Sequence, residues 1–128
     1  MKTLALTAAA LLTLPALALT VAPAHAGDAD RVRTGSCSGS TDWKIKAGPD
    51  DGRMEVEAEI DSNRAGQTWH WVLKRNGSVV DRGVSMTRGR SGSFDVERRT
   101  ADGAGTDSFR FRAVNRASGE TCVARVSR

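Results

Sequence analysis

The sequence predicts an all-β domain: a single antiparallel two-sheet β-sandwich of seven to eight short strands, preceded by a signal peptide. Three observations lead there. Met54-Glu55-Val56-Glu57-Ala58-Glu59-Ile60 alternates apolar and acidic side chains, the period-2 signature of a strand with one buried face. Asn76-Gly77 separates two apolar runs, and the type I′ hairpin turn that such a pair favours needs φ > 0 at both central residues. Glycine-rich breaks (RGRSGS, ADGAG and RASGE) punctuate the remainder, and no segment shows a convincing 3.6-residue period.

The chain opens MKTLALTAAALLTLPALALTVAPAHA, an apolar Leu/Ala run behind one lysine that ends in the small-x-small site Ala24-His25-Ala26. This pattern predicts a secretory signal peptide over 1–26, and Pro15 with the interspersed threonines sets it apart from a membrane anchor. Gly27 follows the expected cut, so a lipidated cysteine is not indicated. Residues 27–35 are polar and aperiodic and are expected to form a flexible tail, leaving 36–128 as one sandwich domain without a membrane span.

Taken in order, Trp43, Ile45 and Ala47 define a short strand with Lys44 and Lys46 on its other face, and Pro49-Asp50-Asp51-Gly52 has turn chemistry. The alternating strand 54–60 follows. Gln67 to Arg75 and Ser78 to Gly83 flank the Asn76-Gly77 turn. A two-residue loop pairs Arg75 with Ser78, Lys74 with Val79 and Leu73 with Val80. Trp69, Trp71 and Leu73 then share one face, and His70, Val72 and Lys74 the other. Further inward pairs are expected at Val84 and Met86, Phe94 and Val96, and Phe109 and Phe111, with Cys122, Ala124 and Val126 in the last strand.

The expected core is therefore Trp43, Ile45, Met54, Val56, Ala58, Ile60, Trp69, Trp71, Leu73, Phe94, Val96, Phe109, Phe111, Ala124 and Val126. Few other large apolar residues remain, so Trp69 and Trp71 are assigned to the core and not to an exposed ligand platform. The only cysteines, Cys37 and Cys122, stand 85 positions apart and are expected to form a disulfide in an oxidising compartment. A zinc site is disfavoured, because neither has a second cysteine or histidine at ligand spacing.

A tryptophan on the third strand, a tight hairpin after it, about seven strands and a disulfide make residues 36–128 resemble an immunoglobulin-like or fibronectin type III-like sandwich. The cysteines depart from the antibody pattern, which joins the second and sixth strands across the core. A leader followed by one Arg- and Gly-rich sandwich with terminal cysteines also resembles small uncharacterised secreted proteins of actinobacteria. That likeness implies an extracellular location and no activity.

The whole chain carries 19 basic and 15 acidic side chains, net +4, and removal of the leader takes only Lys2 from that set. The distribution is lopsided, net −4 over 27–61 and net +7 over 62–128. On the sandwich pattern Glu55, Glu57 and Glu59 face solvent beside Lys44 and Lys46. The opposite sheet presents His70, Lys74, Arg110, Arg112 and Arg125, of which Lys74, Arg110, Arg112 and Arg125 are the candidate anion-binding face. This face reads either as a solvated arginine-rich surface or as a weak site whose partner would be an anionic cell-envelope polymer or an extracellular protein. Specific nucleic-acid binding is not expected, because aromatics are not interleaved with the cations and tyrosine is absent.

No chemistry stands out. His70 is the only histidine beyond the leader and lies on an expected exposed face with no nucleophile motif near it. The regularly spaced glutamates are a solvated strand face rather than a glycosidase pair. Asp102 to Arg110 fits a calcium-binding nonapeptide except at its first position, but those sites need stacked repeats and one copy builds none. The expectation is a secreted, monomeric, non-catalytic module without cofactor or metal. A protease inhibitor presenting Arg88 to Ser93 is the alternative, and a small hydrolase the more remote one.

Overall fold

The computed structural model describes residues 30–128 and the isolated positions 16 and 18. The expected cleavage site lies outside the described residues. Eight strands follow one another with no helix among the described residues: β1 (Arg31–Ser36), β2 (Asp42–Asp50), β3 (Arg53–Asp61), β4 (Thr68–Arg75), β5 (Ser78–Met86), β6 (Ser93–Ala101), β7 (Ser108–Val114) and β8 (Thr121–Ser127). They form two four-stranded antiparallel sheets, ordered β1-β2-β3-β6 and β5-β4-β7-β8. The sheets face each other with β8 against β1 and β2 and β6 against β5, a sandwich consistent with an immunoglobulin-like fold.

Local chemistry sets the two tight hairpins. Asn76 and Gly77 have φ of 47° and 83°, the type I′ geometry expected of that pair, and Asp51-Gly52 repeats it between β2 and β3 at 48° and 76°. The second turn is narrower than its composition implies. Pro49 belongs to β2, opposite Met54 and beyond the last residue that β1 pairs, so no ladder partner on that side requires its missing N–H.

Strand alternation delivers the core. Met54, Val56, Ala58 and Ile60 from β3 meet Trp69, Trp71 and Leu73 from β4 and Phe109, Phe111 and Ala113 from β7, all buried. Trp71 and Phe111 stack with ring centroids 5.6 Å apart. Both tryptophans of β4 are core residues, Trp69 fully so. Trp43 is only partly buried, because β2 lies one strand from the sheet edge and its ring spreads over Gly35 of β1 at the sandwich margin.

Two further expectations are corrected. Arg31 to Ser36 is not a tail: its backbone pairs with β2 from Arg31↔Ala47 to Ser36↔Asp42, although its side chains are almost all exposed. The β4–β5 hairpin begins in the expected register, Arg75↔Ser78 and Lys74↔Val79, but Leu73 is opposite Asp81, not Val80. A bulge at Val80 inserts one residue, and a one-residue slip reverses every later side chain. Asp81, Gly83 and Ser85 therefore point inward, while Val84 and Met86, expected to face inward, are 58% and 47% exposed.

The two flanks of the sandwich close differently. On one, the Cys37–Cys122 disulfide joins the end of β1 to β8 and hence sheet to sheet. On the other, Arg98 of β6 reaches Asp81 of β5 at 2.8 Å, with its guanidinium 5.3 Å above the Trp71 ring. This cation covers the Trp71 ring at the edge of the core, where the facing residue of β5 is Gly83.

Candidate anion-binding face

Directly opposed residues of an antiparallel pair share a face, so the register shows what the outer surface of β5-β4-β7-β8 carries. Lys74, Arg110 and Arg125 form one cross-strand row, ending at Val79 on β5. Arg112 stands in the adjacent row with Arg82, Val72 and Val123, and the next row holds Val84, His70, Val114 and Thr121. The four cations singled out from the sequence thus converge. Strands ~4.8 Å apart root the Lys74, Arg110 and Arg125 side chains within about 10 Å of one another.

Arg82 joins them, and its position was hidden in the sequence because the bulge that turns it outward has no composition signal. Arg116, just past β7, adds a cation at the margin. Its loop is held by Asn115, a buried side chain whose Oδ1 accepts the Ala117 and Ser118 N–H groups at 3.1 and 3.3 Å.

No acidic side chain occupies these rows. The ion pairs among the described residues lie elsewhere, at Arg75–Asp107, Arg98–Asp81 and Arg99 with Asp50 and Glu55. Arg110 has a buried Nε without a hydrogen-bond partner. Like charges directly opposed across strands oppose folding, so the row Lys74-Arg110-Arg125 has no rationale in the stability of the sheet itself.

The outer surface of β1-β2-β3-β6 has the opposite sign. Glu57 faces Glu97 and Glu59 faces Asp95, with Lys46 and Lys44 on the other side of those glutamates. Partial desolvation, then the negative charge of Glu97, raises the Glu55 carboxyl above its ordinary value. Asp81, at the flank, is held below the usual carboxylate range by the Arg98 guanidinium and then by the Arg82 backbone N–H.

The other sequence candidates fall into structural positions. His70 is flanked in its row by Val84 and Val114, neither a nucleophile nor a carboxylate. Arg88 to Ser93 is a tight turn closed by reciprocal Arg88–Ser93 backbone hydrogen bonds of 2.9 and 3.1 Å. Gly92 O accepts the Ser62 N–H and hydroxyl, bracing that turn on the β3–β4 loop. In the glycine-rich nonapeptide, Asp107 is buried and its Oδ1 accepts from Arg75 Nε and Nη2 and from Asn76 Nδ2. Among the described residues no group of three or more His, Cys, Asp or Glu side chains is arranged to hold a metal.

A polar cleft of about 410 Å³ opens at the end of the sandwich carrying the β1–β2, β3–β4 and β7–β8 loops. Its one carboxylate, Glu120, is engaged by the Thr41 hydroxyl and backbone N–H and serves to anchor the loop next to the disulfide. No family model, curated protein or solved structure matches the chain at a significant level.

Proposed function

We propose that the protein is a secreted, non-catalytic sandwich module that binds an anionic polymer of the cell envelope or extracellular space through the outer face of β5-β4-β7-β8. One observation carries this reading: Lys74, Arg82, Arg110, Arg112 and Arg125 project from a single sheet face that contains no carboxylate. A flat, cationic, rigid strand surface suits an extended polyanion, because charges along a chain engage several rows at once and the attraction sums. The leader expected over 1–26 and the disulfide both fit an extracellular setting.

The finer fold assignment supports a binding role by analogy alone. With β2, β3, β4, β5, β6, β7 and β8 taken as strands A, B, C, C′, E, F and G, the sheets read ABE and GFCC′, and Trp69 and Trp71 lie on strand C. The extra strand β1 and its disulfide to β8 replace the central bridge of antibody domains.

The test is retention on immobilised teichoic acid and heparin across a salt gradient. Retention should fall steeply with salt, since exposed charges are screened beyond ~8 Å at physiological ionic strength. Net charge alone would mimic that, so Arg110→Glu/Arg112→Glu is compared with Lys44→Glu/Lys46→Glu on the opposite face. Earlier elution confined to the first variant supports the face. Equal retention of the two overturns it.

A further inference from the structure

The geometry points to a discrete subsite on this face, between Arg82, Arg112 and Arg116, for a phosphate ester that carries an apolar substituent. The inference rests on the basic-face reading and goes further, since a polyanion held by diffuse attraction needs no such site.

The face is not uniform. The row Lys74-Arg110-Arg125 is a ridge of cations, whereas the neighbouring rows border a depression of about 470 Å³. Arg82 and Arg112 stand on either side of Val72, two strand spacings or about 10 Å apart at their roots, so their guanidinium groups can close over one group seated above that valine. Arg116 supplies a third guanidinium from the loop that Asn115 holds in place.

The chemistry of the lining selects the ligand. Three guanidinium forks and no carboxylate suit a tetrahedral oxyanion with several acceptor oxygens better than a single carboxylate with two. Apart from the His70 imidazole, the other side chains that the depression meets on this face are valines. Val84 is 58% exposed there, and Val114 and Val72 add methyl surface beside it. Leaving a valine that exposed on an otherwise cationic surface costs apolar hydration, which burial under an apolar substituent would recover. Either a unit of a phosphodiester polymer or a phospholipid headgroup with its first methylenes presents this combination.

The experiment is an NMR titration of the protein with monobutyl phosphate, inorganic phosphate and butyrate, reading the Val72, Val84 and Val114 methyls. Monobutyl phosphate should shift the methyls of all three valines saturably and bind at least tenfold tighter than either fragment. Arg82→Gln/Arg116→Gln should weaken it at least tenfold, and Lys74→Gln/Arg125→Gln, of equal charge change, less than threefold. Competition by a glycerol-phosphate oligomer or by monomeric dihexanoylphosphatidylglycerol supports the subsite, and the tighter competitor identifies the source. Equal weakening by the two double variants, or no saturable methyl shift, overturns the subsite. In that case retention that still depends on Arg110 and Arg112 leaves the face standing, and its loss in the column assay removes both.

Discussion

The Trp71 indole lies against Gly83 on the neighbouring strand, where a Cβ would come within 2.7 Å of its Cζ2 atom, and its Nε1 donates to Ser85 Oγ at 3.0 Å. The two contacts exist because the bulge at Val80 turns Gly83 and Ser85, and not their neighbours, toward the core. Gly83→Ala should therefore destabilise by about 1–3 kcal/mol through overpacking. Trp71→Ala should cost about 3–5 kcal/mol as a large-to-small core change. His70→Ala, on the outer face, should stay within about 0.5 kcal/mol. Urea denaturation of the three variants checks the order, and equal losses at 70 and 71 would mean that the faces of β4 are inverted.

The Cys37–Cys122 bridge closes a loop with a sequence separation of 85 residues and joins the two sheets at one flank. The chain-entropy model assigns roughly 4–5 kcal/mol to a loop of that length. Unreduced, denatured protein should titrate no free thiol, and Cys37→Ser/Cys122→Ser should show a clearly lower Tm than the oxidised protein.

At the opposite end from the disulfide, Asp107 is only 1% exposed and pairs with Arg75 at 2.7 Å. Asp107→Asn keeps one acceptor for that guanidinium and should cost about 1.5–3 kcal/mol, the range for a hydrogen bond to a charged group. Arg75→Ala leaves the carboxylate buried without its counter-charge and should cost more, about 3–5 kcal/mol. Chemical denaturation measures both, and a double-mutant cycle isolates the coupling between them.

Acid should separate Asp81 from Glu55. The lowered Asp81 value means that the folded state favours the ionised form, through Arg98 first and the Arg82 N–H second. Its contribution is present above the ordinary Asp value and is lost as pH falls through the lowered folded value. Glu55 has the opposite sign. Desolvation, then Glu97, disfavours its ionised form in the fold, so stability declines as pH rises through its raised value. Asp81→Asn should lower Tm at neutral pH, and Glu55→Gln should raise it there. Neither should change Tm in strong acid, where both carboxyls are protonated in folded and unfolded chains alike; thermal melts across the acid range test the pair.

Most of the inward set is legible without coordinates, since a period-2 pattern is a property of the strand alone: it places Ile45, the four apolar positions of β3, Trp69, Trp71, Leu73, Phe94, Val96, Phe109, Phe111, Ala124 and Val126 on the buried side. The Asn76-Gly77 turn is legible for a similarly local reason, because φ > 0 at two successive residues restricts the choice of side chain. The cysteine pairing needs only the count of two and an oxidising compartment. What lies beyond those local rules was decided by partners. β1 is a strand because β2 offers it a free edge, although its own side chains bury almost nothing. The faces of β5 follow from a bulge accommodated between Leu73 and Lys74 of its partner, so that Trp71 fills the space above Gly83 and Arg98 closes over it. That same bulge turns Arg82 outward and exposes Val84, and with them the composition of the candidate site. Alternation along one strand says which residues share a side, but the number of residues opposed to each on its neighbour is a property of the pair, and only the folded sheet determines it.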